Sequence, residues 1–118
     1  MKDIKQLNLL AIEFHECQKV LAAIGDETRH NIILTLIAAG CDGIRVGDIT
    51  QKTHLSRPAV SHHLRILKEA KVVNVHRVGT KNFYYIDPQN NSIYLLKNLI
   101  NHMEEYIKNH WDTPKEDY

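Results

Sequence analysis

The chain has 118 residues, a hydrophobic fraction of 43% and a formal net charge of +1, which suits one modest core and leaves too little length for a second independent domain. Its first stretch, MKDIKQLNLLAIEF, has neither the apolar segment nor the small-residue cleavage site of a secretory leader, and no apolar run nears the roughly 18 residues of a membrane span. A cytoplasmic protein with no membrane partner is therefore expected, whose Cys17 and Cys41 stay reduced and inert rather than forming a disulfide.

Lys5 to Ile24 reads as one amphipathic helix, with Leu9, Ile12, Val20, Leu21 and Ile24 recurring near helical spacing and His15, Glu16 and Lys19 on a solvated face. Gly25-Asp26 breaks the pattern, and Asp26 caps a second helix over Glu27 to Ala39 whose Ile33, Leu36 and Ile37 are expected in the core. Gly40 supplies a left-handed stop. Cys41 follows it, where the negative end of the helix dipole and Asp42 both disfavour a thiolate.

Val46 to Thr53 reads as a short helix with Ile49 buried. The connection Thr53-His54-Leu55-Ser56 leads into the next helix, LSRPAVSHHLRILKEAK over Leu55 to Lys71, and two short helices so joined make a helix-turn-helix over residues 46–71. In such a pair the second helix enters the major groove with its N-terminal residues leading. At about 100° per residue, Val60, Leu64 and Leu67 form a buried stripe, and Ser61, His62 and Arg65 fall on the far side. The same count separates the adjacent histidines: His62 points outward, while His63 flanks the stripe as a packed, hydrogen-bonded residue. Ser56 is the expected N-cap, followed by Arg57 and Pro58 in the first turn, where free amides and the helix dipole suit a phosphate.

Val72 to Ile86 holds two β-forming runs around Val78-Gly79-Thr80-Lys81, a hairpin by pattern and turn chemistry. Arg77 and Lys81 stand at its tip. A hairpin of this kind after a recognition helix is a wing, placed to reach phosphates or the minor groove, while Tyr84 and Tyr85 are expected to pack on the domain rather than stack on bases. Asp87-Pro88 ends the sheet, and Ser92 to about Asn109 forms a last helix with Leu96, Leu99, Ile100, Met103 and Ile107 along a narrow seam. The helices at 5–24 and 92–109 together offer more apolar surface than one small domain can bury, so a homodimer through them is expected, and its two-fold symmetry suits paired half-sites on DNA. The acidic end, Asp112 to Tyr118, is expected to fray.

Charge is segregated along the chain. Arg45 to Ile86 carries eight basic residues (Arg45, Lys52, Arg57, Arg65, Lys68, Lys71, Arg77 and Lys81) against Asp48 and Glu69, a net of +6 within an overall +1. A basic middle with acidic ends is the asymmetry of a protein that turns one surface to phosphate.

With these elements in place the sequence resembles the ArsR-type (ArsR/SmtB) winged helix-turn-helix repressors. The resemblance rests on LAAIGDETRHNIILTL, LSRPAVSHHLRILKEAKVV and RVGTKNFYYI, and covers roughly Val20 to Ile86, extending loosely through the last helix. It implies a homodimer joined by its first and last helices, and repression relieved by an inducer. Lys71 and His54 depart from it, standing where the family usually or often has glycine. Many relatives sense metal through a cysteine pair in a CVCD motif, but the matching residues here are Arg45-Val46-Gly47-Asp48, so that soft-metal site is not expected. Others hold zinc between paired last helices through an Asp-x-His and a His-x-x-His or His-x-x-Glu. His102 and Glu105 reproduce the second half, but Gln89 and Asn91 occupy the first. A different site built from His102, Glu105 and His110 across the dimer is the remaining alternative.

The expected protein is thus a mainly helical single domain over residues 1–118, in the order ααααββα, with the wing at 72–86. Its expected function is that of a homodimeric, sequence-specific repressor bound to a double-stranded operator. Ser61, His62 and Arg65 are expected to touch base edges, and Ser56, Arg57, Lys68, Arg77 and Lys81 to touch phosphates. No cofactor and no metal are expected. The alternative is a winged-helix interaction module without an operator, against which the basic middle argues. An enzyme has little support: the chain lacks a glycine-rich phosphate loop, a complete metal constellation, and a nucleophile placed with a base.

Overall fold

A computed structural model describes residues 3–111, so the acidic tail expected at residues 112–118 lies outside the described residues. Six helices and one antiparallel hairpin follow in the order α1 (Ile4–Glu16), α2 (Gln18–Gly25), α3 (Glu27–Ala39), α4 (Val46–Thr53), α5 (Arg57–Glu69), β1 (Asn74–Val78), β2 (Lys81–Tyr85) and α6 (Ile93–His110). This is a winged helix-turn-helix.

The single first helix expected over residues 5–24 is divided into α1 and α2 at Cys17. The Cys17 amide bonds to the carbonyls of both Glu13 and His15, which tightens the turn, and its side chain is buried at the bend. The two pieces pack differently. α1 lies along α6, while α2 packs mainly on α5 and α3 and also meets α6, with Val20 and Ala23 in the core. Burial, reinforced by Glu13 and Glu16, pushes the Cys17 thiol above its ordinary pKa, so it remains a protonated, inert packing group.

Asp26 caps α3 by accepting the Arg29 amide at 3.2 Å. The α3 core face is Ile32 and Leu36, with Ile33 partly buried, but Ile37 is 61% exposed. From Ile32 to Ala39 the helix is apolar at every position but Thr35, so periodicity does not distinguish the sides of this half, and Ile37 falls on the side left exposed. Gly40 ends α3 at φ 72°, ψ −166°, a backbone region essentially restricted to glycine.

α4 and α5 meet across one compact seam. Ile49 of α4 and Val60, Leu64 and Leu67 of α5 are all buried, each contributing about 1.5–3 kcal/mol relative to an exposed side chain. Pro58 sits in the first turn of α5, and the Ser56 hydroxyl accepts the Ala59 amide at 3.2 Å. The turn between the helices passes through His54 at φ 59°, and α5 ends through Lys71 at φ 61°.

In the hairpin, His76 lies opposite Phe83, Arg77 opposite Asn82 and Val78 opposite Lys81, leaving Gly79-Thr80 as the turn. Gly79 takes the positive φ, 65°, that such a turn requires. The wing is tied to the rest of the domain at its base, where Ile44 and Tyr84 exchange two backbone bonds of 2.9 Å. Tyr84 packs against the core, and Tyr85 is half-buried. In α6, Leu99 and Tyr106 are buried whereas Ile100 and Ile107 face outward. The apolar residues expected as one seam therefore divide between an internal and an exposed side.

Candidate nucleic-acid interface

α5 presents its outward face as the angular count expected. Ser61, His62 and Arg65 are all exposed, and the Arg65 guanidinium donates to His62 Nδ1 at 3.2 Å. Because a guanidinium can only donate, Nδ1 is the acceptor and the His62 ring proton lies on Nε2. Lys68 is exposed in the last turn of the same helix.

His63 is half-buried on the core side. Its Nδ1 accepts from Arg29 Nη1 at 3.3 Å. Arg29 is itself buried, with Nε on the Ala23 carbonyl at 2.8 Å, Nη2 on the Ala22 carbonyl at 3.1 Å and Asp26 at 3.8 Å. The guanidinium closes the C-terminal end of α2 and fastens α5 to it. Sequence reading placed His63 but missed Arg29, since a lone arginine in a helix ordinarily marks a solvated face. Burial, then the Arg29 charge beside it, push the His63 pKa below the ordinary histidine value.

Of the remaining expected contacts, Arg57 and Lys81 line one cleft, which Ser56 and Arg77 do not line. Ser56 keeps its hydroxyl proton free while its oxygen caps α5. Arg57 reaches back over the first turn of α4, where a Cβ on Gly47 would lie 3.2 Å from its Nη2. Arg77 folds along the turn, donating from Nε to the Gly79 carbonyl at 2.9 Å. The strand register sets Arg77 and Lys81 on opposite faces of the ribbon. Among the described residues, no ion pair engages Arg45, Arg57, Arg65, Lys68, Arg77 or Lys81; those present are Arg29–Asp26, His102–Glu13 and Lys108–Glu104. Arg45, like Lys52 and Lys71, belongs to the basic stretch of the sequence without an expected contact.

The alternative metal ligands do not converge within one chain. His102 Nδ1 meets both carboxylate oxygens of Glu13 at 2.8 Å, tying α6 to α1. His110 stacks on Tyr106 with ring centroids 4.2 Å apart and bonds through Nδ1 to the Tyr106 carbonyl. Among the described residues, no three His, Cys, Asp or Glu side chains form a group that could hold a metal ion, and no helix is long and apolar enough to cross a membrane.

The family model described as bacterial regulatory protein, arsR family, matches residues 26–75. The chain is 39% identical over 88 residues to the transcriptional repressor SdpR of Bacillus subtilis, covering 75% of this chain and 89% of that one. It is 26% identical over 108 residues to the transcriptional repressor SmtB homolog of Synechocystis, covering 89% and 79%. Among solved structures, the homodimeric winged helix-turn-helix DNA-binding domain Mb0332 of Mycobacterium bovis superposes with a TM-score of 0.59 at 22% identity, covering 96% of this chain and 97% of that one.

Proposed function

Because the chain belongs to the arsR family and is a DNA-binding transcriptional regulator, we propose that it is a homodimeric repressor that reads its operator through the exposed face of α5. Ser61, His62 and Arg65 contact base edges in the major groove. Ser56, Arg57, Lys68, Arg77 and Lys81 contact phosphates and set the register of the helix. The observation that carries this reading is that α5 and the wing hold exposed cations which no ion pair engages among the described residues, and that Ser61, His62 and Arg65 are exposed with them.

The dimer is supported by the outer helices. α1 buries no residue of its own, and Ile12 on α1 and Ile100 on α6 are 54% and 59% exposed. A groove of about 450 Å3 lies between the two helices, lined by the apolar Leu9, Leu10 and Ile12 and by Tyr106, and also by charged and polar side chains that include Glu13 and Glu105. A second copy covers this apolar surface and supplies the second recognition helix, about one DNA turn away. Release by an inducer follows the same reading, as does a cytoplasmic location where the DNA lies.

Binding to a duplex measured between about 50 and 200 mM salt tests the phosphate part, since affinity is expected to fall steeply with a linear log–log slope. Salt-insensitive association, or none, would contradict it.

A further inference from the structure

Between the first turn of α4, the start of α5 and the tip of the wing lies a cleft of about 320 Å3 lined by Arg45, Gly47, Asp48, Arg57, Lys81 and Asn82. Its charged lining is three cations and one carboxylate, and no ion pair among the described residues joins them. Helix and wing each contribute to it. Arg45 is the N-cap residue of α4 and provides no side-chain cap; the Asp48 amide turns back to the Arg45 carbonyl at 3.1 Å, which leaves the earlier first-turn amides at the positive end of the helix, in the same turn as the Asp48 carboxylate. The Arg57 guanidinium lies over the same turn. On the wing side, Asn82 is on the ribbon face it shares with Tyr84, which packs on the core, and Lys81 adjoins the turn. The Ile44–Tyr84 bridge fixes the two walls relative to each other.

Cations on two facing walls suit an anion with several oxygens pointing in different directions, whereas a single carboxylate is satisfied by one arginine fork. We propose that this cleft is a phosphodiester site, in which one backbone phosphate of the bound duplex enters between helix and wing. Arg45 and Arg57 hold it from the helix side, and Lys81 and the Asn82 amide hold it from the wing. The inference rests on the DNA reading above and deepens it. It adds Arg45 and Asn82 to the interface and makes three cations share one phosphate instead of meeting three.

The test is a salt titration of a random-sequence duplex with the full chain, its Arg45→Ala variant, and the triple variant Arg45→Ala, Arg57→Ala, Lys81→Ala. All three residues are exposed, so melting curves are expected to coincide with wild type. Arg45→Gln serves as the second variant should the triple substitution fail to fold. A shared phosphate makes the log–log slope of the triple variant shallower by about 0.9, the value of one neutralised phosphate, with Arg45→Ala or Arg45→Gln alone giving part of that loss. A slope that is unchanged, or shallower by about two or more, overturns the shared site and leaves the reading of α5 standing. Failure of the wild-type chain to show salt-dependent binding removes the DNA reading itself. Replacing chloride with inorganic phosphate at equal ionic strength separates the two sources of this anion. Inorganic phosphate is expected to compete with the duplex more on the wild type than on the triple variant, whereas phosphate that binds the wild type but leaves its duplex affinity and salt slope unchanged would overturn the duplex as occupant.

Discussion

At the scale of the residue, His54 and Lys71 are the non-glycine residues with positive φ among those described, at 59° and 61°. They are the two positions at which the sequence departs from a glycine pattern, so the missing glycines were legible as a conflict between side chain and turn. An L-residue in this region costs about 1–2 kcal/mol, part of which glycine gives back through its freer unfolded chain. His54→Gly and Lys71→Gly are each expected to raise the melting midpoint, with a gain of up to about 1 kcal/mol; a lowered midpoint would contradict this. His63 makes a pH prediction. Burial and Arg29 depress its folded pKa, so the unfolded chain takes up a proton first as pH falls. Stability is then complete above about 6.5, the unfolded value, and declines below it toward the depressed folded value. His63→Asn keeps an acceptor for Arg29 but does not titrate. Denaturant melts across this window are expected to show the wild type losing stability faster than the variant on acidification, and parallel losses would refute the assignment.

At the scale of the element, the helix-turn-helix and wing were legible because their signals are local. Ser56 and Pro58 mark one helix start, Asp26 another, and Gly79 the hairpin turn. The break at Cys17 was not legible, because no glycine or proline marks it and the bend accompanies tertiary packing in which α1 follows α6 while α2 turns onto α3 and α5 as well. The exposure of Ile37 was equally hidden, since it depends on which side of an apolar helix finds neighbours. The same limit held at the site. The exposure of Ser61, His62 and Arg65 was legible from their helical angles, but the part-buried Arg29–His63 bond and the cleft beside Arg45 depend on long-range contacts. The wing attachment depends on Gly43, at φ 84°, where a Cβ would lie 3.0 Å from both Phe83 Cβ and the Tyr84 carbonyl oxygen. Gly43→Ala is expected to cost at least about 1–2 kcal/mol from the backbone term alone and to weaken DNA binding through a displaced wing. Unchanged melting and binding together would show that the bridge does not hold the wing.

At the scale of the whole molecule, the domain separates its tasks. α4, α5 and the wing carry the cationic face, and α1 and α6 carry the exposed apolar one. Ile100 is 59% exposed, so Ile100→Glu is expected to leave the helical signal intact while shifting sedimentation from dimer to monomer and lowering operator affinity. A dimer that persists would move the interface elsewhere. Sequence reading by α5 is the central claim, and its most direct measurement is the ratio of affinities for a selected operator and a random duplex, in the wild type and in Arg65→Ala at one fixed salt concentration. A good base contact discriminates by about 1–3 kcal/mol, so the ratio is expected to fall by roughly tenfold or more in the variant. An Arg65→Ala variant that keeps the wild-type ratio would contradict the account.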